Sequence, residues 1–146
     1  MPKRKPKGKP SLATRRSKFE VRISKELEDA GIKYKYEAYS YQYDEALRKN
    51  LARCLDCSSK NLVRTGWYTP DFFLESGVII ETKGRFTAAD RRKMLAIQEA
   101  HPDLDIKMLF MRDNKIHKNS ATHYSDWCMQ HNYDFAIGHC KQEWLK

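Results

Sequence analysis

The sequence predicts a single α/β domain in which a mixed central sheet is flanked by helices. Three observations predict this class: an apolar stripe with helical spacing near the start, a central segment typical of a β-hairpin, and a later helix followed by a short apolar strand. The chain has 146 residues, 40% of them hydrophobic, which suffices for one modest core. No internal repeat is visible, and no apolar run approaches the ~20 residues that span a bilayer.

The chain opens with a basic segment, residues 1–16, that contains three prolines and no acid. It carries seven of the nine net positive charges, and such a composition cannot bury enough apolar surface to fold alone. One interpretation is a solvated tail. The favoured one is a flexible arm that neutralises phosphates through Lys3, Arg4, Lys5, Lys7, Lys9, Arg15 and Arg16. Because no apolar stretch follows, we expect that the segment is not a secretory signal and that the protein is intracellular with reduced cysteines.

The first helix is predicted directly after this arm. Ser17 and Glu20 fit a capping box, in which a serine caps the helix and a glutamate follows three residues later. Gly31 fits the residue that ends the helix. The apolar stripe recurs every four residues, at Phe19, Ile23 and Leu27.

A strand is predicted next, from the alternation of polar residues with Ile32, Tyr34 and Tyr36. Residues 43–66 are predicted to be an insertion between core elements, with Asp44–Arg53 as a short helix. The insertion contains Cys54 and Cys57, a CxxC pair that is half of a structural zinc site. A second half would come from Cys128 and His131 or from His139 and Cys140; the alternative is that the thiols are reduced and partly buried.

Residues 68–84 predict a β-hairpin whose loop is Glu75-Ser76-Gly77. If Leu74 pairs with Val78, then Asp71 lies opposite Glu81, and Lys83 points to the same face. The other face carries the apolar residues Phe72, Leu74, Val78 and Ile80.

Two carboxylates placed opposite each other repel, and a divalent cation converts that repulsion into binding. Such a cation polarises a phosphoryl group and makes a bound water more acidic, while Lys83 stabilises charge on the phosphate. The alternative is a solvated hairpin face without a role. Pro70 directly before Asp71, the apolar opposite face and the basic composition favour the metal site.

The later elements are a helix over Thr87–Ala100, a central strand over Ile106–Met111 and a helix at about Ala121–Gln130. The first of these helices starts at a threonine cap and ends before Pro102. It carries a basic cluster, Arg91, Arg92 and Lys93, which is either a phosphate contact or a solvated face.

Several blocks of the sequence resemble a known family. Pro70 and Asp71, a spacer, and then Glu81, Thr82 and Lys83 fit the PD-(D/E)xK nuclease pattern. More widely, the blocks KELEDAGIKYKYE, YTPDF, IIETKG and AHPDLDIK resemble, in the same order, phage endonuclease I, the junction-resolving enzyme of T-seven-like bacteriophages. The resemblance runs from about residue 17 to residue 144 and implies a restriction-endonuclease-like core. The stretch at about 43–65 departs from it.

The resemblance implies roles for individual residues. Asp71 and Glu81 would hold Mg²⁺ or Mn²⁺, two ions per site, with the carbonyl of Thr82 as a further ligand. Lys83 would be the catalytic lysine. Glu20 would be a further acidic residue near the second metal, although capping explains Glu20 without catalysis. Family members are intertwined homodimers, so Glu20 of one subunit would complete the site of the other.

The function this implies is a structure-selective DNA endonuclease of the Holliday junction resolvase type. It would hydrolyse phosphodiesters in four-way and other branched DNA during recombination, in the cytoplasm of the infected bacterial host, with recognition by shape. Two alternatives stay open. One is a mismatch or duplex nicking nuclease of the same fold, and the other is a non-catalytic, zinc-stabilised DNA-binding module, against which Asp71, Glu81 and Lys83 argue.

Overall fold

The computed structural model describes residues 3–4, 17–46 and 63–146, and it has the predicted α/β class. Its elements in chain order are β1 (Lys3–Arg4), α1 (Lys18–Asp29), β2 (Tyr34–Tyr36), β3 (Tyr39–Ala46), β4 (Val63–Tyr68), β5 (Phe72–Leu74), β6 (Ile79–Lys83), α2 (Ala88–Ala100), β7 (Ile106–Phe110), α3 (Tyr124–Gln130), β8 (Asp134–Ile137) and a final 3₁₀ turn (Gln142–Leu145). None of the helices in these ranges is long and apolar enough to cross a membrane.

Five strands form a mixed sheet in the order β2-β5-β6-β7-β8. The strands β2, β5 and β6 are antiparallel neighbours, whereas β6, β7 and β8 run parallel to one another. Side chains alternate between the two faces along each strand, so Ile79 and Ile80 enter different hydrophobic clusters. The predicted mixed sheet flanked by helices is confirmed.

The helix α1 covers one face of this sheet. Ser17 caps it by accepting the Glu20 N–H at 3.1 Å, and Gly31 beyond its end has a φ of +71°, the left-handed conformation that glycine adopts readily. Ile23 and Leu27 of the predicted stripe are fully buried. Burying each of these side chains contributes about 1.5–3 kcal/mol, so α1 is held mainly by this stripe.

The helices α2 and α3 lie on the other face. Thr87 and Asp90 form a full capping box at the start of α2, because each side chain accepts the backbone N–H of the other residue. Met94 and Ile97 of α2 are buried in the core. The ring of Phe86 lies 5.2, 5.7 and 4.8 Å from those of Phe110, Tyr124 and Trp127. These edge-on and tilted contacts fix α3 against β7.

The strands β3 and β4 form a long antiparallel pair, with β1 on the outer side of β3. The predicted helix over Asp44–Arg53 is therefore wrong for residues 44–46, which are strand. Tyr41 and Tyr43 of β3 are buried against the α2 side, and this non-local packing outweighs the local helical preference. Residues 47–62, with Cys54 and Cys57, lie outside the described part of the chain.

The predicted basic arm is described at two residues only. Lys3 and Arg4 pair with Ser40 and Tyr39 of β3. The backbone of the arm therefore extends the sheet of β3 and β4 by one short strand. The other residues predicted to bind phosphates lie outside the described ranges: Lys5, Lys7, Lys9, Arg15 and Arg16.

The β5–β6 hairpin has the predicted register. The Leu74 N–H donates to the Val78 carbonyl at 2.8 Å, which closes the turn around Gly77. Gly77 has a φ of +94°, a conformation that residues with a side chain rarely adopt. Extending the same pairing to the far end of the hairpin places Asp71 opposite Glu81.

The last third of the chain departs from the prediction at two places. The helix α3 begins at Tyr124 rather than at about residue 121, because the His123 N–H is capped by the Asp126 carboxylate at 2.9 Å. The strand β8 is not predicted from the sequence. Only its Ala136 is buried, and it is held by parallel pairing with β7, a contact that local patterns do not reveal.

Candidate active site

The candidate active site lies where β6 meets the start of β5. Asp71 directly precedes β5, after the buried Pro70, and Glu81, Thr82 and Lys83 end β6. Glu81 and Thr82 are only 5% and 6% exposed, whereas Asp71 and Lys83 are partly exposed. The structure therefore brings together the residues that the hairpin register predicts. A fully solvated hairpin face, the alternative, does not fit this burial.

Asp71 is oriented by Thr82. The Oδ2 of Asp71 accepts hydrogen bonds from the Thr82 N–H at 2.9 Å and from the Thr82 hydroxyl at 2.7 Å. Burial, and next the charge of Glu81, nevertheless raise the pKa of Asp71 to about 8, because both oppose a second negative charge at this place. At neutral pH the metal-free carboxyl therefore favours its protonated form.

Each carboxylate oxygen of Glu81 has its own partner. The Lys83 Nζ lies 3.1 Å from Oε1, and the Tyr68 hydroxyl donates to Oε2 at 2.9 Å. Burial acts to lower the pKa of Lys83, but the charge and the hydrogen bond of Glu81 outweigh it, so the pKa is raised. Lys83 is thus an ammonium ion that donates hydrogen bonds and stabilises negative charge, and it is not a free amine base.

Tyr36 links Glu20 to the candidate active site. The Glu20 carboxylate accepts hydrogen bonds from the Ser17 hydroxyl at 2.9 Å and from the Tyr36 hydroxyl at 2.5 Å. Burial raises the pKa of Tyr36, as do its hydrogen bond to Glu20 and nearby charges that include Asp71. Tyr36 is thus within electrostatic reach of both carboxyl groups in the same chain. The predicted capping box at the start of α1 is formed in part: Ser17 accepts the Glu20 N–H, whereas the Glu20 carboxylate accepts from two hydroxyls. This arrangement is compatible with an active-site role of Glu20.

The oxygen donors of the site fit a hard divalent cation. Asp71 and Glu81 supply two carboxylates. Burial, and next the charge of Glu81, raise the pKa of Asp71, and a cation held by both carboxylates would offset their repulsion. Within the described part of the chain, no three His, Cys, Asp or Glu side chains are grouped as a metal site. One or two carboxylates are the usual protein contribution to a Mg²⁺ site, with water and substrate phosphate completing it.

The cysteines that the structure describes do not build a zinc site. Cys128 and Cys140 are free thiols, and burial raises the pKa of each to about 12. Cys128 packs in the cluster on the α2 side of the sheet and Cys140 in the cluster on the α1 side. Their burial fits the alternative of reduced structural thiols, and the zinc site itself stays a prediction, because Cys54 and Cys57 lie outside the described residues.

The basic cluster on α2 makes contacts within the protein. The Arg91 guanidinium donates to the Phe86 carbonyl at 2.7 Å, and the Arg92 Nε lies 3.4 Å from Glu45 Oε1. Arg91 thus ties the start of α2 to the segment after β6, and Arg92 ties α2 to β3. Their contact with phosphates stays a prediction.

The sequence patterns do not single out two tyrosines of the site, Tyr36 and Tyr68. Tyr68 is a core aromatic, as its residue type predicts, but the contact of its hydroxyl with Glu81 joins two separate sheets. Tyr36 stands on the core side of the predicted strand. Its contact with Glu20 spans two elements and leaves no local signal.

Comparison with known proteins gives matches over most of the chain. A family model described as Phage endonuclease I matches residues 60–146. Endonuclease I of Escherichia phage T7 is 36% identical over 141 residues, which cover 96% of this chain and 84% of that protein. Endodeoxyribonuclease 1 of Enterobacteria phage T3 is 39% identical over 122 residues, which cover 83% of this chain and 70% of that protein.

Proposed function

The chain belongs to the phage endonuclease I family and is an endodeoxyribonuclease, and from this premise we propose that it cuts branched DNA, four-way junctions above all. The proposed reaction is phosphodiester hydrolysis that depends on Mg²⁺ or Mn²⁺. The observation that carries the proposal is the pair of opposed carboxylates, Asp71 and Glu81, with the Lys83 ammonium 3.1 Å from Glu81. The preference for junctions rests on the family-like blocks of the sequence.

Asp71 and Glu81 would hold the cation, with the carbonyl of Thr82 as a further ligand. A divalent cation bound there supplies Lewis acidity toward the phosphoryl group and makes water more acidic. Asp71 would lose its proton on binding a cation, because the positive charge would offset both the burial and the charge of Glu81 that raise its pKa. The two hydrogen bonds from Thr82 keep Oδ2 of Asp71 oriented in both states.

Lys83 would act on the phosphate. As an ammonium ion it donates to a phosphate oxygen or to the attacking water and stabilises the negative charge that develops in the transition state. Its contact with Glu81 Oε1 keeps the Nζ beside the carboxylates when no substrate is bound. Loss of one such donor typically costs about 10²–10³ in rate.

Glu20 is proposed as a further acidic group near a second metal ion. We propose a homodimer in which α1 and β2 are exchanged, so that Glu20 of one subunit completes the site of the other. In the single chain β2 pairs with β5, and an exchange keeps these contacts while changing which chain supplies them. Two such sites would make paired nicks across a junction.

DNA recognition is proposed to rest on phosphate positions and shape. The basic segment 1–16 carries seven of the nine net charges and would neutralise phosphates near the branch point. Arg91 and Arg92, at the start of α2 beside the site, are further candidates. The proposed place of action is the cytoplasm of the infected bacterial cell, where recombining phage DNA is branched.

The test is cleavage of an immobile four-way junction and a matched linear duplex, each with Mg²⁺ or EDTA. We expect Mg²⁺-dependent cutting of the junction, little cutting of the duplex, and loss of cutting with retained binding in Lys83→Ala. Lys33→Ala, which removes an exposed lysine, is the matched control. Equal cutting of both substrates contradicts the junction preference, and binding without cutting contradicts the hydrolytic reaction.

A further inference from the structure

We propose that Tyr68 is a positioning residue that fixes the carboxylate of Glu81 for metal binding. The hydroxyl of Tyr68 donates to Oε2 of Glu81 at 2.9 Å, and both side chains are buried. Tyr68 touches neither substrate nor metal in this role, because it acts through Glu81. The inference rests on the proposed metal-dependent reaction.

The phenol ring of Tyr68 is held on several sides. Tyr68 is 1% exposed, and its ring centroid lies 6.3 Å from that of Tyr41 on the neighbouring strand. The Nζ of Lys93 on α2 lies 5.7 Å from the same ring centroid, within the range of a cation–π contact. A ring enclosed in this way places its hydroxyl in one direction, so the donor aimed at Glu81 is preorganised.

Two different donors therefore set the plane of the Glu81 carboxylate. Lys83 lies at Oε1, on a long and partly exposed side chain, whereas Tyr68 lies at Oε2 on a rigid, buried ring. A phenol is uncharged at neutral pH, so the hydroxyl of Tyr68 is a neutral donor toward Glu81. Hydrogen bonds from such outer groups orient metal-binding carboxylates, and their loss typically costs about 10–100-fold in metal affinity or activity.

Tyr68 also connects the two sheets. It is the last residue of β4, in the three-stranded sheet, whereas Glu81 lies on β6 of the five-stranded sheet. The orientation of a metal-binding carboxylate therefore depends on how the β3–β4 pair docks onto the core.

The experiment compares Tyr68→Phe with wild type and with Tyr133→Phe. Tyr133 is also a buried tyrosine on the α2 side, but its hydroxyl donates to the backbone carbonyl of Met94 and not to a carboxylate. Phenylalanine fills the same space in both positions, so the control measures the common effect of losing a buried hydroxyl. The readouts are Mn²⁺ binding to the DNA-free protein by calorimetry, and the Mg²⁺ concentration that gives half-maximal cleavage.

We expect Tyr68→Phe to bind Mn²⁺ about tenfold more weakly and to need correspondingly more Mg²⁺, whereas Tyr133→Phe stays within about twofold of wild type. Glu81→Gln is measured beside them to establish that wild-type binding depends on Glu81. Unchanged Mn²⁺ affinity in Tyr68→Phe, with Glu81-dependent binding in wild type, overturns the positioning role alone. If Glu81→Gln binds Mn²⁺ as tightly as wild type does, the positioning role and the proposed metal site are both overturned.

Discussion

Asp71 is expected to destabilise the metal-free protein and to contribute to binding of the proposed cation. Without metal it is partly buried next to Glu81, and burial and that charge raise its pKa to about 8. The two hydrogen bonds from Thr82 offset part of this penalty but not all of it. The metal-free protein therefore carries local electrostatic strain at the candidate active site.

Asp71→Asn is expected to stabilise the metal-free protein while abolishing cleavage. An asparagine oxygen still accepts from Thr82, but it carries no charge to repel Glu81. At pH 8 in EDTA we expect the free energy of unfolding to rise by on the order of 1–3 kcal/mol, measured by urea denaturation. Asp103→Asn, which neutralises an exposed carboxylate, is the control and should change stability by less than about 0.5 kcal/mol.

The effect of Asp71→Asn on the free energy of unfolding should depend on pH. An unfolded aspartate has a pKa near 3.9, and folded Asp71 has one of about 8, so the folded wild type holds an extra proton between these values. This group's contribution to stability therefore falls as the pH rises from about 4 to about 8. The stability difference between Asp71→Asn and wild type should grow over that range. A difference that is constant with pH would contradict the raised pKa.

The charged residues of the site could be predicted from the sequence, whereas their uncharged partners could not. Asp71, Glu81 and Lys83 follow from strand periodicity and one turn, which are local. The hydroxyl contacts of Tyr68 and Tyr36 join residues 13 and 16 positions apart through separate elements. A contact between residues of separate elements leaves no periodic pattern in the sequence around either residue.

At the level of elements, the β5–β6 hairpin depends on one backbone conformation. Gly77 has a φ of +94°, and a Cβ there meets no neighbouring atom within 4 Å, so a substitution is opposed by backbone strain alone. Gly77→Ala should lower the free energy of unfolding by about 1–2 kcal/mol in urea denaturation. The exposed neighbour provides the control, since Ser76→Ala should stay within about 0.5 kcal/mol of wild type.

Folded Gly77→Ala should still cut DNA at close to the wild-type rate. The register of β6 is also fixed by its parallel pairing with β7, which runs from Ile79 to Lys83 and does not involve the turn. A folded variant with strongly reduced cleavage would mean that the turn, and not the sheet, holds Asp71 opposite Glu81.

The elements that the sequence predicts are those with local signals. The helix α1 has a cap and an apolar stripe, and the helix α2 has a cap and buried apolar residues. The β5–β6 hairpin has its own turn. The strands β3, β4 and β8 are held by pairing with strands that are distant in sequence. The alternation of polar and apolar residues within each of them is too weak to predict a strand. Tyr39, Tyr41 and Tyr43 do alternate, but the acidic and alanine residues that follow favour a helix locally.

At the level of the whole molecule, the proposed exchange of α1 and β2 can be tested with mixed dimers. A dimer of one Glu20→Ala chain and one Lys83→Ala chain contains one intact site if Glu20 acts in the partner's site. It contains none if Glu20 acts within its own chain, as the pairing of β2 with β5 in the single chain would permit. We expect the mixed dimer to nick a junction in one strand while both parent dimers are inactive. An inactive mixed dimer would refute the exchange.

The basic segment 1–16 should control the salt dependence of DNA binding. Replacing its seven Lys and Arg residues with glutamine keeps its length and removes seven charges. If all seven neutralise phosphates, the slope of log K against log salt should become shallower by up to about 6 units. Binding isotherms at several salt concentrations measure this. An unchanged slope would leave the segment as a solvated tail.

The opposed carboxylates also constrain how a lineage carrying this protein can diverge. If neutralising Asp71 stabilises the fold, selection for folding alone favours loss of its charge, and only the need to cut DNA retains it. Once cutting is no longer required, position 71 should change earlier than the buried aliphatic residues around it. A descendant with an intact core and an uncharged polar residue at 71 would then be a DNA-binding protein that had recently been an enzyme.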